Sequence, residues 1–527
     1  MFAMLQIRHV LYRKVAEVNG SYSRVSFFCF VSVSFFLLNT RNAGGKTPRL
    51  HKQSINKKCN NFSPEPLMRA LWRMVSMKKM MMSDVLDERK DFVCVSGESK
   101  KGFKCESNSV AGAVSQRACV YCGARVVLNP ITDAFHIIHG PIGCASYTWD
   151  LRGSLSSDKE YYRNAFSTDL SEQDVIFGGG KKLAGAIDEI VATYHAKFIF
   201  VYATCIVGVI GDDVQAICKA AEQKHGIVCI PVQSPGFSGS KSTGYKLACN
   251  AILNLMSRAE EGPKLKGINV LGDFNLSGEM WIINSYLKEI GVKVVAKITG
   301  DATCEELMQA PRASLNIVQC AGSMMYLARQ MEEKYGIPNL KVSFFGIEDT
   351  TNSLMRIAYA LKDPEIIARA KAFTARKSEE TAKKIAPYRA LLEGRKAAIY
   401  VGGGYKAISL LKQFKELGID TVVVGTQTGK KDEYDVIRSL ADEGTVILDD
   451  ANPAELEKFM REKHADVLVG GVKERPLGYK LAVAFLDHNH ERKHALAGYD
   501  GAVNFVQELN LSMNSPVWSY LKGDAAV

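Results

Sequence analysis

Residues 197–205 read KFIFVYATC. The run is apolar and aromatic without polar alternation, which suits a strand buried on both faces, and such strands belong to parallel sheets covered by helices. It ends at a polar Thr204 and a thiol, Cys205. In open parallel α/β sheets, ligands collect outside the carboxyl ends of the strands. Cys205 therefore stands where a site is expected.

The same rhythm recurs through the rest of the chain: GIVCIPV (226–232), GINVLGD (267–273), VKVVAKI (292–298), LNIVQ (315–319), KVSFF (341–345), AAIYVGG (397–403), DTVVVG (420–425), TVILDD (445–450) and DVLVGG (466–471). Each run ends at a glycine or polar turn and is followed by a helical pattern. Ten such strands exceed one comfortable open sheet. The expected fold class is α/β, with three Rossmann-like, doubly wound parallel-sheet domains and a pocket between them. Boundaries are placed at 96–265, 266–365 and 366–527, the last opening with a long charged helix over about 363–396.

Composition supports a large folded body. The 527 residues are 47% hydrophobic and 23% charged, and the formal net charge is +11. That charge is not spread evenly. Residues 1–83 hold 14 basic against 2 acidic side chains, and the remainder holds 53 against 54. The folded body is thus close to neutral and carries no nucleic-acid signature. Residues 1–95 are read as a basic, disordered extension. Within it, residues 25–38 are apolar over a stretch shorter than the ~20 residues that span a bilayer. Four basic residues precede this stretch, as before a signal-peptide core, but no small-residue cleavage site follows cleanly. Met68, Met74, Met77, Met80, Met81 and Met82 offer later starts. A start placed too far upstream, a targeting segment and a tail all remain open readings. A cytoplasmic location is expected for the body.

Thirteen cysteines in a chain of this size point to metal or redox chemistry rather than disulfide staples. Cys119 and Cys122 form C-x-x-C. His136 and His139 follow in HIIH, expected on one helical turn. Cys144 ends the turn GPIGC, and Cys320 ends the strand LNIVQ. Cys218, Cys229 and Cys249 lie in apolar patterns and read as small core residues. Thiols without a second C-x-x-C favour an iron–sulfur site over zinc, and few ligands per chain suit a cluster shared between subunits. The glycine-rich turns VGGGYKA (401–407) and FGGGKKL (177–183) do not complete a dinucleotide fingerprint, and no P-loop is present.

The motifs ACVYCG…HGPIGC, STDLSEQDVIFGGGKKL, YATCIVGVIGDD, QCAGSMMYLARQMEEKYGIP, GGVKERP and DHNHER…AGYDG occur in this order. Together they resemble the α-type chains of the nitrogenase component 1 superfamily, over about residues 116–501. The resemblance implies that Cys119, Cys144 and Cys205 hold a [4Fe–4S] cluster at a subunit interface. It also implies that Cys320 holds the iron–molybdenum cofactor or its iron–sulfur precursor, which later gains molybdenum and homocitrate. Arg152 and Lys473 match pocket cations. Asn489 falls where catalytic chains carry the molybdenum-binding histidine, and the loop PGFSGSKSTGYK offers Ser242 and Lys246 in place of their glutamine and histidine. A single thiolate anchor with cationic neighbours suits a carrier that must release its cargo.

The function so implied is a scaffold for cofactor assembly that passes its cluster to apo-nitrogenase. The alternative is a catalytic α subunit of a nitrogenase-like oxidoreductase. Implied partners are a NifN-type β subunit in an α2β2 heterotetramer, the nitrogenase iron protein, and cofactor donor and acceptor proteins. His136, His139, His488 and His490 are not assigned as ligands, nor is Cys122. Tyr499 and Asp500 are expected to form a structural corner.

Overall fold

The computed structural model describes residues 89–98, 103–105, 119–149, 155–157, 164–489 and 491–524. Arg152, His490 and most of the N-terminal extension lie outside these residues. Among the described residues, fourteen strands form three sheets. The first sheet holds β2 (Ala134–His139), β3 (Ala165–Ser167), β4 (Phe198–Ala203) and β5 (Val228–Gln233) in the order β3-β2-β4-β5. The second holds β6 (Ile268–Leu271), β7 (Val294–Ile298), β8 (Leu315–Val318) and β9 (Asn339–Lys341) in the order β7-β6-β8-β9. Every pairing in both sheets is parallel.

The third sheet combines β1 (Val93–Val95) with β10 (Lys396–Val401), β11 (Asp420–Thr426), β12 (Val446–Asp449), β13 (Val467–Gly470) and β14 (Ala484–Asp487). Its order is β1-β12-β11-β10-β13-β14, parallel except for β1, which runs antiparallel along β12. β1 falls in the segment read as an extension. Its short VCV run gave no usable period, and the partner strand lies far along the chain. Arg89 fastens the same segment, pairing with buried Glu455 at 2.9 Å.

The HIIH stretch is part of β2, not a helical turn. The i, i+3 spacing of its histidines suggested a helix, but the strand puts them on opposite faces, and each ring finds an internal partner. His136 Nδ1 lies 3.0 Å from Tyr202 Oη. His139 is held by Thr168 Oγ1 at 3.0 Å and Asp212 Oδ2 at 3.1 Å. The KVSFF run also shifts. β9 ends at Lys341 because β8, its only neighbour, stops at Val318, leaving residues 342–345 beyond the ladder.

The first two sheets share one core. The helices Val120–Leu128, Lys241–Met256 and Ala321–Tyr335 contribute Leu128, Ile252, Leu255, Met324 and Leu327 to it, all fully buried. The first two of these helices cross at Gly123 and Gly244. A Cβ at Gly123 would lie 2.1 Å from the Lys241 carbonyl oxygen, and one at Gly244 would lie 2.0 Å from that of Val120. Only glycine at both positions lets the backbones approach so closely. The 29-residue helix Pro364–Leu392 links the second sheet to the third. Asp363 caps it, its carboxylate accepting the Glu365 and Ile366 amides. Among the described residues, no helix is long and apolar enough to cross a membrane.

Candidate metal centre

In a doubly wound sheet, the chain leaves one side and returns on the other at a switch point, and the loops there diverge to leave a crevice. The first sheet switches between β2 and β4, and the loops after these strands carry Cys144 and Cys205. The second switches between β6 and β8, whose loops carry Gly272 and Cys320. The third switches between β10 and β13, whose loops carry Gly402–Lys406 and Gly471–Lys473. All three crevices thus coincide with the residues that sequence reasoning singled out.

At the first crevice, three thiols converge from three helix starts. Cys119 precedes the helix Val120–Leu128, Cys144 lies in the first turn of the helix Ile142–Trp149, and Cys205 opens the helix Cys205–Ile210. The loop after β5 closes the group. Gly236 donates its N–H to Cys205 Sγ at 3.0 Å, and a Cβ there would meet that sulfur at 3.0 Å and Cys119 Cβ at 3.2 Å. Thr204 donates its hydroxyl to the His139 carbonyl at 2.9 Å and also hydrogen-bonds Cys144.

Burial pushes the Cys119 thiol up, and the Cys122 and Cys205 charges add to this. Burial likewise raises Cys144, with Cys205 and Cys119 as further causes. Three thiolates side by side repel one another, and metal binding relieves the repulsion while releasing protons. Thiols are the donor type an iron–sulfur cluster takes, and three of them from one chain lie in one crevice, although among the described residues no group of three or more His, Cys, Asp or Glu side chains is drawn close enough to hold a metal ion. Cys122 is fully enclosed in the core and stands apart from this role. Cys218, Cys229 and Cys249 are buried as expected.

Exposed apolar side chains surround this first crevice. Ile142, Val209 and Phe237 are 56%, 70% and 65% exposed, and Ile176 and Phe177 on the neighbouring short helix are 73% and 85% exposed. Phe237 packs beside Gly208 of the Cys205 helix, 3.3 Å from where a Cβ would stand. Large contiguous apolar patches are uncommon on monomeric surfaces.

At the second crevice, Cys320 is the half-buried N-cap residue of the helix Ala321–Tyr335. Gly272, in the left-handed region at φ 89°, lies against it, and a Cβ there would approach Cys320 N and Cβ to 2.8 Å. Gln319 anchors the same turn, donating Nε2–H to Asp273 at 3.1 Å.

The third sheet faces this turn through the loop after β11, which also holds the loop after β10. A Cβ at Gly322 would lie 3.9 Å from Thr428 Oγ1, and Thr428 hydrogen-bonds the Gly402 carbonyl. A Cβ at Gly403 would meet nothing within 4 Å, so the loop fronts open space. Lys406 sits in the first turn of the helix Gly404–Leu417 and donates to the His488 carbonyl at 2.9 Å. Arg492 pairs with buried Glu279 at 3.0 Å. Burial, the Arg492 charge, and then the opposing pull of Cys320 set the Lys406 ammonium, which is lowered to about 8.

Asn489 is 5% exposed and ties the two loops of the third crevice together. Its Oδ1 accepts the Gly402 N–H at 3.4 Å, and its Nδ2 would be 2.7 Å from a Cβ on Gly471. Lys473 is half-buried beside Glu474, a carboxyl that burial pushes up to about 7. Lys246 is exposed on the helix Lys241–Met256. His488 is fully buried, edge-on to Phe345 and Phe505 at centroid distances of 5.0 and 5.8 Å. Tyr499 and Asp500 do form a corner: Tyr286 donates to Asp500 at 2.7 Å, and Tyr499 meets Thr351 at 2.8 Å. Sequence reasoning missed Lys406, Arg492, Thr204 and Gly236. The first two were in view within VGGGYKA and DHNHER; the other two adjoin recognised cysteines only in space or by one position.

The family model described as "Nitrogenase component 1 type Oxidoreductase" matches residues 119–514. The chain belongs to the nitrogenase component 1 family. Curated relatives within this family include the "Nitrogenase iron-molybdenum cofactor biosynthesis protein NifE" of Clostridium pasteurianum. It is 64% identical over 442 residues, which cover 83% of this chain and 97% of that protein. The protein of the same name from Methanosarcina barkeri is 48% identical, covering 84% of this chain and 99% of that one. Among solved structures, "Nitrogenase Cp1 at pH 5" superposes with a TM-score of 0.76 at 31% identity, over 83% of this chain and 96% of that one. The nitrogenase component 1 fold and the three-crevice arrangement thus belong together in this chain.

Proposed function

We propose that this chain is the α-type scaffold subunit for assembly of the iron–molybdenum cofactor, carrying an iron–sulfur precursor before its transfer to apo-nitrogenase. Two cysteine sites lie on separate sheets: Cys119, Cys144 and Cys205 come together at the first crevice, and Cys320 lies alone against Gly272 at the second. That separation carries the reading. The names of the relatives support the scaffold over a catalytic α subunit.

The cargo is anionic. Cys320 supplies one sulfur bond to it, and the charged side chains of the third crevice supply attraction without a further covalent link. Asn489 fixes the loops around the crevice rather than offering an imidazole. At the first crevice, Cys119, Cys144 and Cys205 hold the [4Fe–4S] cluster, with a NifN-type β subunit completing the set and covering the apolar rim. When bound, that cluster supplies one-electron transfer. An α2β2 heterotetramer, electron delivery by the nitrogenase iron protein, and donor and acceptor proteins for the cargo complete the proposed cycle. The work belongs to the cytoplasm.

The test is iron and sulfide content, with electron paramagnetic resonance, on the complex purified anaerobically with its β-type partner. Two distinct cluster signals are expected. A complex free of iron would overturn the reading.

A further inference from the structure

We propose that the Thr204 hydroxyl is a switchable hydrogen-bond donor at the first crevice, turning from the His139 carbonyl to the Cys144 sulfur when that sulfur binds iron. The inference rests on the scaffold reading above for the presence of an interface cluster. It adds a residue that is not a ligand but sets the state of one.

The first support is placement. Thr204 directly precedes Cys205, and its side chain lies against the turn that carries Cys144: a Cβ on Gly140 would fall 2.0 Å from Thr204 Oγ1. Thr204 is 1% exposed, so solvent does not compete for its hydroxyl. It is also the N-cap of the helix Cys205–Ile210. Threonine is favoured at an N-cap because its oxygen accepts an amide of the first turn. Thr303 does this elsewhere in the chain, accepting the Glu306 amide. The Thr204 side chain makes no such bond. Its hydroxyl is turned instead to the His139 carbonyl at 2.9 Å and to Cys144.

The second support is the count of protons. A hydroxyl has one to give. While that proton lies on the carbonyl, Thr204 Oγ1 can only accept, which suits Cys144 as a thiol. A sulfur bound to a metal has lost its proton and can only accept. The contact then persists if the hydroxyl proton turns to the sulfur. The structure makes that turn inexpensive. The His139 carbonyl also accepts the Thr204 backbone N–H, at 3.2 Å, so it keeps a partner when the hydroxyl leaves. Rotation about the Cβ–Oγ1 bond moves the proton without moving a heavy atom. The His139 ring, held by Thr168 and Asp212, keeps the carbonyl in place. Cys205 offers the comparison, because the Gly236 amide already donates to its sulfur at 3.0 Å. Two neighbouring sulfurs thus have one fixed donor and one conditional donor.

A donor on a ligand sulfur draws charge from it and favours the reduced form of a cluster. Removing the Thr204 hydroxyl should therefore make the interface cluster harder to reduce while leaving it bound.

The experiment uses the partner-bound complex with the full chain, purified anaerobically. Thr204→Val keeps the shape and removes the hydroxyl, Thr204→Ala removes it in a smaller side chain, and Thr204→Ser keeps it. Interface iron, the paramagnetic signal and the midpoint potential of the interface cluster are read for each. The Val and Ala variants should retain interface iron and disfavour reduction by about tenfold, a shift of about 59 mV to more negative potential for one electron. Serine should restore the wild-type midpoint. A residue that merely packs the turn would not move the potential with iron still in place. A wild-type midpoint in both Val and Ala overturns the proposal. A Ser variant shifted as far as Val also overturns it, by assigning the effect to the lost methyl. Iron lost from Val and Ala alike overturns it too, because the hydroxyl would then build the site rather than tune it. A wild-type complex with no interface cluster defeats the scaffold reading, which is a separate result.

Discussion

Cys205 accepts the backbone N–H of Gly236 at 3.0 Å, and the space beside that contact is too small for a methyl group. The loop after β5 therefore sets the position of a thiol that belongs to a helix after β4. Gly236→Ala should push the Cys205 and Cys119 thiols apart by a few tenths of an ångström. The expected outcome is reduced interface iron in the partner-bound complex, with a change in folding stability below about 1 kcal/mol because the turn is exposed. Iron analysis beside a urea midpoint checks both halves.

The two cysteine sites should fail separately. Cys320→Ala is expected to remove the second cluster and leave the interface signal in place. Cys144→Ala should remove the interface cluster first and loosen the heterotetramer. Paramagnetic resonance on each variant distinguishes the outcomes, and the idea is lost if either change abolishes both signals together in a folded complex.

Partner binding should depend on the apolar rim. Phe237 is 65% exposed, yet it is packed beside Gly208. Phe237→Glu places a charge in the centre of the proposed interface and should weaken association by about 2 kcal/mol or more, the scale of an interface hot spot. Sedimentation of the mixed subunits measures this, and unchanged association would place the partner elsewhere.

Arg89 tests the attachment of β1. Its guanidinium is buried with Glu455, at 8% and 1% side-chain exposure. Arg89→Met leaves that carboxylate without its cation, which typically costs about 3–5 kcal/mol. A urea midpoint that does not fall would show that the β1 segment contributes little to the third sheet.

Stability should decline on mild acidification. Burial holds His136 well below its ordinary value of 6.5, with the Arg125 charge adding to the effect. Burial also dominates at His488, where Lys406 and Arg492 contribute. A histidine depressed in the folded state binds its proton more readily when unfolded. Its contribution is complete above about 6.5 and is lost as pH falls from there toward the folded value. His136→Gln should flatten the fall between pH 6.5 and 5, as read from denaturant midpoints across that range.

Strands β4, β6, β8, β12 and β13 were legible because each is buried on both faces and reads as one continuous apolar run. β2 was not, since two histidines interrupt its run at helical spacing, and only the structure reveals the Tyr202, Thr168 and Asp212 contacts that satisfy them. β1 and β3, of three residues each, were too short to announce themselves, and β14 was missed although it is as long as β6, β8, β12 and β13. At the site, cysteines at strand ends were readable from local pattern alone. Lys406 was visible as a residue but not as a pocket cation, because its meaning depends on Arg492 and Cys320, which arrive from other loops. Gly236 carried no local sign of its contact with two sulfurs.

The antiparallel strand β1 has a consequence for how the chain acquires its shape. Arg89 and Glu455 are 366 positions apart, and β1 lies against β12 over a similar span. During synthesis, β1 emerges early and must wait for most of the chain before its neighbour exists. Closing so long a loop is entropically costly and slow. Until then, a strand edge is available to other chains. The third sheet is thus discontinuous in sequence, with one strand from residues 93–95 and five from residues 396–487, so it cannot be completed until both stretches of chain exist.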